Sequence, residues 1–303
     1  MIFKEKLESL SKEISPEFRK LVNFAWLNQT HYSDLLLIHI NGFYEESVEK
    51  WNSVHEKKLN PHVIGPGHEG HSEITHYEFI NKYRQSYLTS IPFSDYLKEF
   101  EWKPENQERI DALTDIEETT IQLEMLVYLK FWEADSIIKK LYQLARIINK
   151  EYYDWYFKIA NGSTGSRQKI IRELIRDKIK PFSETIYLLI KDSYKSQLRN
   201  AIAHSQYSFQ GRNIHLNNYI ESDPNAQIKS ISFDKWIEIF HSTLILHNSY
   251  IEMNNIINQR YGKIAMENDN TLSIRITDRD GKQYERPIEY RPRWRDWNYR
   301  NET

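Results

Sequence analysis

The chain has 303 residues, 40% of them hydrophobic and 14% aromatic, with a formal net charge of −2; this length accommodates two domains, or one elaborated domain, around a sizeable core. The longest apolar run, LLLIHI at 35–40, is far short of the ~18 residues of a membrane span, and the opening MIFKEKLESLSKE lacks the apolar centre of a signal peptide. Cysteine is absent, which excludes disulfides and Cys-ligated zinc and fits a reducing cytoplasm.

The small net charge hides an asymmetry. Residues 1–138 carry 14 basic against 24 acidic side chains, residues 139–199 carry 14 against 6, and residues 200–303 carry 13 of each. The basic middle reads either as solvated helix faces or as a surface that attracts phosphate.

In chain order, residues 17–58 read as helical, with Pro16 at the start and Gly42 as an interruption. NPHVIGPGHEGHS (60–72) reads as a loop, followed by a helix over 73–88. A connector with a short helix then leads to a domain boundary near Pro104. Apolar residues at three- and four-residue spacing (Leu126, Leu129, Trp132, Ile137, Leu141, Leu144, Ala145, Ile148) make 105–159 helical, with a break expected near 113–115. NGSTGSRQ (161–168) reads as a loop, and helix resumes to Lys180. From Pro181 a helix carries the stripe Ile186, Ile190, Tyr194, Leu198 and Ile202, with Leu189 beside it. After His204 the alternation YSFQGRNIHLNNYI suggests a small hairpin. A further helix follows, capped by Ser232 or Asp234 and ended by Gly262, and a second hairpin turns at Asp280-Gly281. There is no internal repeat and no low-complexity tract.

The end of the striped helix, SQLRNAIAHSQY (196–207), concentrates chemistry. His204 lies four residues after Asn200, on the same helical face, so the Asn amide oxygen can accept from an imidazole N–H. Arg199 stands roughly 140° around the helix from His204 and reaches toward the same groove. An imidazole can take the proton of a ribose 2′-hydroxyl, and a guanidinium can hold the non-bridging phosphate oxygens as charge builds on them. Such a reaction calls for no metal and leaves a 2′,3′-cyclic phosphate and a 5′-hydroxyl. The plain alternative is that two cations cap a helix C-terminus.

RNAIAH resembles the R-N-x-x-x-H form of the motif of the HEPN superfamily (higher eukaryotes and prokaryotes nucleotide-binding). FWEADSIIKKLYQLARI (131–147) resembles the acidic helix start that HEPN ribonucleases often carry: Asp135 and Lys139 match a D/E-x-x-x-K pattern, and Glu133 adjoins them. The likeness covers roughly 115–261. It implies a mainly α fold: a HEPN-like helical bundle at 104–262, after an extra N-terminal helical region at 1–103, with a small β-hairpin behind the motif and a β-hairpin with a basic-aromatic tail at 263–303. It also implies a homodimer whose two motifs meet in a composite cleft, and metal-independent cleavage of RNA, often in toxin–antitoxin or phage-defence settings with an antitoxin or other protein partner. No cofactor and no membrane association are implied. Arg199 would stabilise the transition state, His204 would be general base or acid, Asn200 would orient the His or touch phosphate, and Asp135 would hold Arg199 or a partner residue. Lys139, Lys140 and Tyr207 would contact RNA. Asp135–Lys139 can equally be an i,i+4 ion pair, and some members of the family keep the fold and bind without cutting.

Two other clusters stand out. His62, His68, His71 and His76 fall within HVIGPGHEGHSEITH, where His68 and His71 with Glu69 or Glu73 could ligate a metal, although a polar loop fits Gly and Pro better. EYRPRWRDWNYR (289–300) interleaves arginines with Trp294, Trp297 and tyrosines. Arg293 and Trp294 suit single-stranded RNA by phosphate contact and stacking, or the aromatics fold back into a core.

Overall fold

The computed structural model describes residues 1–159 and 166–300, apart from the side chains of His68 and Glu69. The protein is mainly α with small antiparallel β elements. In chain order the helices are α1 (Lys4–Asn28), α2 (Asp34–His39), α3 (Glu46–Val54), α4 (Gly67–Tyr87), α5 (Phe93–Lys98), α6 (Gln107–Trp132), α7 (Asp135–Ile148), α8 (Ser166–Lys169), α9 (Asp177–Ile179), α10 (Glu184–Ser193), α11 (Ser196–Ala203) and α12 (Phe233–Met266); a π-helical stretch, Ile170–Arg176, joins α8 to α9. The strands are β1 (Ile2–Phe3), β2 (Phe43–Tyr44), β3 (His62–Val63), β4 (Leu88–Thr89), β5 (Tyr207–Phe209), β6 (Asn213–Leu216), β7 (Ser230–Ser232), β8 (Thr271–Thr277), β9 (Gln283–Arg291) and β10 (Asp296–Tyr299). Among the described residues no helix is long and apolar enough to cross a membrane.

The chain forms two compact units, each assembled from three segments. The first comprises Met1–Glu17, Ile74–Ala134 and Thr185–Ser249; the second comprises Phe18–Glu73, Asp135–Glu184 and Tyr250–Thr303.

The first unit is built on aromatic packing. Tyr128, Trp132, Trp236 and Phe240 are all buried, and Trp132 sits 4.9 Å from the ring of Tyr194. Glu124 is fully buried and accepts from Trp236 Nε1–H (2.6 Å) and Tyr83 O–H (3.1 Å). Strands β5, β6 and β7 form an antiparallel sheet with Tyr207 opposite Leu216 and Ile214 opposite Ile231. Arg212, between β5 and β6, donates to both Glu117 oxygens (2.7 and 2.9 Å) and to Asp234 (2.9 Å), and stacks over Phe100. A two-pronged guanidinium–carboxylate pair of this kind fixes direction as well as distance.

In the second unit α2 and α7 pack together with buried Leu35–Ile38, Ile137, Leu141 and Leu144. The sheet β8–β9–β10 is antiparallel, and its inward residues Leu272, Ile274, Ile276, Ile288, Tyr290 and Trp297 are buried. The buried Asp34 joins this sheet to α2 through Arg275 (2.9 Å). Gly42 must be glycine, because a Cβ there would lie 2.9 Å from the Trp155 ring.

Several boundaries differ from those expected. Helix α1 begins at Lys4 and keeps Pro16 inside. Proline removes one backbone bond, but buried Ile14, Phe18, Leu21, Val22 and Ala25 at helical spacing outweigh it. Helix α4 starts at Gly67 instead of residue 73, its first turn closed by Gly70 N–H on the Pro66 carbonyl (2.7 Å). The long helical pattern breaks at Glu133–Ala134 rather than near 113–115, and 149–159 is not helical; Lys150, at φ 59°, stands just past α7. The striped helix breaks at Tyr194–Lys195, yet Ile186, Ile190, Tyr194, Leu198 and Ile202 are all buried. Ser232 caps α12 by accepting from Lys235 N–H (3.2 Å), but Gly262 lies within this helix, where a Cβ would meet the Tyr290 ring at 3.1 Å. The C-terminal hairpin gains a third strand, β10. Of the loop expected at 161–168, residues 161–165 lie outside the described residues and α8 begins at Ser166.

Candidate functional site

Helix α11 is only eight residues long, below the ~12–15 at which isolated helices become stable, so tertiary contacts must hold it. Helix α6 supplies two. The Tyr128 hydroxyl oxygen accepts from the Lys195 N–H (3.2 Å) at the N-terminus of α11. At the other end Glu133, just past α6, pairs with Arg199 Nε. On another side Gln197, buried at 4% exposure, grips an extended segment: its Nε2–H donates to the Ile228 carbonyl (2.9 Å), its Oε1 accepts from Ile228 N–H (2.8 Å), and its carbonyl accepts from Asn218 Nδ2–H (2.9 Å).

The motif occupies the last turn. Arg199 Nη1–H donates to Asn200 Oδ1 (2.6 Å). Glu133 raises the Arg199 pKa above the ordinary arginine value, first through the hydrogen bond and further through its charge, so the guanidinium is permanently cationic. Among the described residues its third nitrogen, Nη2, has no protein partner. Asn200 thus uses its side-chain oxygen on Arg199, not on the imidazole; its backbone carbonyl accepts from His204 N–H (3.0 Å).

His204 is the C-cap residue of α11 and is exposed. The chain leaves the helix by a Schellman turn: Gln206 N–H donates to the Ala201 carbonyl (2.7 Å), Ser205 N–H to the Ile202 carbonyl (3.3 Å), and Ser205 takes φ 53°. A non-glycine residue at that φ is strained. The turn aims the next strand, β5, away and leaves the imidazole in solvent, where it has no hydrogen-bond partner among the described residues.

The other expected contacts fall as follows. Asp135 starts α7 in the second unit and pairs with Arg167 (2.5 Å); the carboxylate set against Arg199 is Glu133. Lys139 is 3% exposed, its ammonium 5.1 Å from the Phe43 ring centre. Lys140 is 7% exposed and bonds Glu73 (3.4 Å) and Asn254 (3.3 Å). Neither ammonium is presented at the surface. Tyr207 is half-buried, its ring edge-on to Phe209 at 5.7 Å. In the tail the aromatics divide: Trp297 is buried against Tyr290 (4.8 Å), whereas Trp294 is 66% exposed with Arg293 over its ring.

Of the histidine cluster, His62 is buried beside Tyr44, Trp155 and Tyr156, and His71 is exposed on α4. The side chains of His68 and Glu69 lie outside the described residues. Among the described residues no three His, Asp or Glu side chains converge to hold a metal.

Sequence reasoning placed Arg199, Asn200 and His204 at a helix end but did not assign Glu133, Tyr128 or Gln197. Glu133 was detectable only as a second carboxylate near Asp135; Tyr128 and Gln197 left no local signal. Comparison with protein-family models, curated proteins and solved structures finds no match to this chain.

Proposed function

We propose that the chain is an endoribonuclease whose reaction is carried by Arg199 and His204. The observation that carries this reading is the turn itself: a cation fixed by Glu133 and Asn200, whose Nη2 makes no hydrogen bond among the described residues, on the helix that ends in an exposed imidazole at a strained turn. His204 removes the proton from a ribose 2′-hydroxyl; the 2′-oxygen bonds to the adjacent phosphorus; the bond to the 5′-oxygen breaks, and that oxygen takes a proton from water as His204 returns its own to solvent. Arg199 Nη2 faces the phosphoryl oxygens as they gain charge. The products are a 2′,3′-cyclic phosphate and a 5′-hydroxyl.

A second reading is a protein that keeps this arrangement and binds RNA, a nucleotide or a protein partner without cutting. The full engagement of Arg199 Nε and Nη1 within the chain favours it.

The test is cleavage of a mixed-sequence RNA in the presence of chelator. Wild-type protein is expected to yield cyclic-phosphate ends, and His204→Ala to lose ~10²–10⁴-fold in rate with an unchanged circular-dichroism spectrum. Undiminished cleavage by the variant overturns the assignment to His204. RNA binding of equal strength by both proteins, with no products from either, selects the second reading.

A further inference from the structure

Within the first unit, the first turns of α1, the end of α10 and the first turns of α12 border a cleft of about 340 Å³, a volume in the range of small-molecule pockets. Lys6, Ser9 and Leu10 line it from α1 at three- and four-residue spacing, so they share one helical face. Lys235, Glu238, Ile239 and Ser242 do the same from α12, and Asp192 stands at the end of α10. Leu10, the buried Ile239 and the ring of His241 supply apolar surface. Both His241 nitrogens are engaged within the chain, by the Ile237 carbonyl and the Phe3 N–H, so this ring offers a ligand carbon edges and no hydrogen bond.

The polar groups of the cleft are unequally served. A helical Ser or Thr commonly folds its hydroxyl onto the carbonyl four residues back; Ser193 does so on Leu189 (2.6 Å) and Thr243 on Ile239 (3.0 Å). Ser9 and Ser242 make no hydrogen bond among the described residues. Both carboxylates of the cleft are paired, Glu238 with Lys235 (2.7 Å) and Asp192 with Lys195 (3.5 Å). Lys6 is not: its ammonium lies 4.1 Å from the centre of the Phe93 ring. Of the acids nearest it on α1, Glu5 accepts from the Phe93 N–H (2.6 Å) and Glu8 pairs with Lys4 (3.8 Å). Among the described residues Lys6 has no ion-pair partner.

We propose that this cleft binds a small organic carboxylate, its charge answered by Lys6 and the hydroxyls of Ser9 and Ser242, its apolar part lying on Leu10 and Ile239. Two hydroxyl donors and one ammonium match the acceptor oxygens of a single carboxylate. A phosphate group suits the cleft less well, because Asp192 and Glu238 oppose the second negative charge that it carries near neutral pH. A simple cation meets carboxylates that are already paired, and Lys6 besides. For an acid of about ten non-hydrogen atoms, contacts of this kind give a dissociation constant on the order of 1 mM. Arg199, Asn200 and His204 do not line the cleft, so this inference does not rest on the chemistry proposed above.

The test varies the head group on one skeleton, by ligand-observed NMR titration of the full-length chain. The probe 3-phenylpropionate is expected to bind about tenfold more tightly than 3-phenylpropan-1-ol or 3-phenylpropylamine. Lys6→Met, which keeps the stem and removes the charge, is expected to weaken the acid about tenfold and leave the alcohol unchanged, and Lys6→Arg to keep most of the affinity. Ser242→Ala is expected to weaken the acid about threefold. The circular-dichroism spectrum of each variant should match that of the wild type. Equal binding of acid and alcohol, an acid affinity untouched by Lys6→Met, or no binding of the acid up to about 50 mM overturns the proposal. So does tighter binding of inorganic phosphate, which would make the cleft a dianion site. Tighter binding of L-phenylalanine also overturns it, in favour of a zwitterion that engages Asp192 and Glu238. None of these measurements involves RNA, so they fail or succeed apart from the nuclease assay.

Discussion

Arg199 illustrates how one side chain is tuned by two neighbours. Glu133 supplies a full charge and Asn200 a dipole, and among the described residues Nη2 makes no hydrogen bond. Removing Glu133 should therefore loosen the guanidinium without removing it. For a nuclease, Glu133→Ala is expected to lower kcat by about tenfold with KM nearly unchanged, and Glu133→Gln, which keeps an acceptor at the same place, to restore part of the loss. Equal loss in both variants would instead assign the effect to charge alone. Ser205 presents the opposite case, a residue whose side chain matters less than its backbone. At φ 53° glycine pays no Cβ penalty, so Ser205→Gly is expected to raise stability by about 0.5–1 kcal/mol in denaturant unfolding. A decrease would mean that the Ser side chain itself holds the turn.

At the scale of elements, what the sequence reveals depends on whether the signal is local. The stripe from Ile186 to Ile202 is legible because burial repeats every four residues, and it survives the break at Tyr194–Lys195. The hairpins are legible from Gly281 and from alternation around Gly211. The break between α6 and α7 is not: Glu133-Ala134-Asp135 contains no glycine or proline, and Glu133 keeps helical dihedrals at φ −100° and ψ −6°. This break also decides the site, since one carboxylate ends α6 and the other begins α7. Which of them meets an arginine more than sixty residues later is settled by packing. Gly262 shows the reverse error, a residue that reads as a helix stop but serves close packing against Tyr290. The motif residues were legible as a cluster at a helix end, whereas their supports, Tyr128 and Gln197, were not, because each acts across more than thirty residues.

For the molecule as a whole, stability should depend on pH through buried imidazoles. Burial pushes His241 down to about 4, and His247, also beside Arg84, down to about 4. Burial keeps His241 neutral, and its two nitrogens suit that form: one donates to the Ile237 carbonyl (2.7 Å) and the other accepts from Phe3 N–H (2.9 Å). Between pH ~4 and ~6.5 the unfolded chain binds protons that the folded chain refuses. Their contribution is therefore complete above pH ~6.5 and is lost as pH falls toward 4, on the order of 3 kcal/mol for each. The thermal midpoint is expected to drop between pH 7 and pH 4.5, and to drop less in His247→Phe; equal slopes would remove His247 from the account. The clasp of Gln197 on Ile228 has a consequence for the birth of the protein. The motif helix is too short to persist alone, and part of what holds it lies downstream in the chain. A ribosome that has just finished the motif carries a segment still without that clasp, and the site takes shape only after the following strands have emerged.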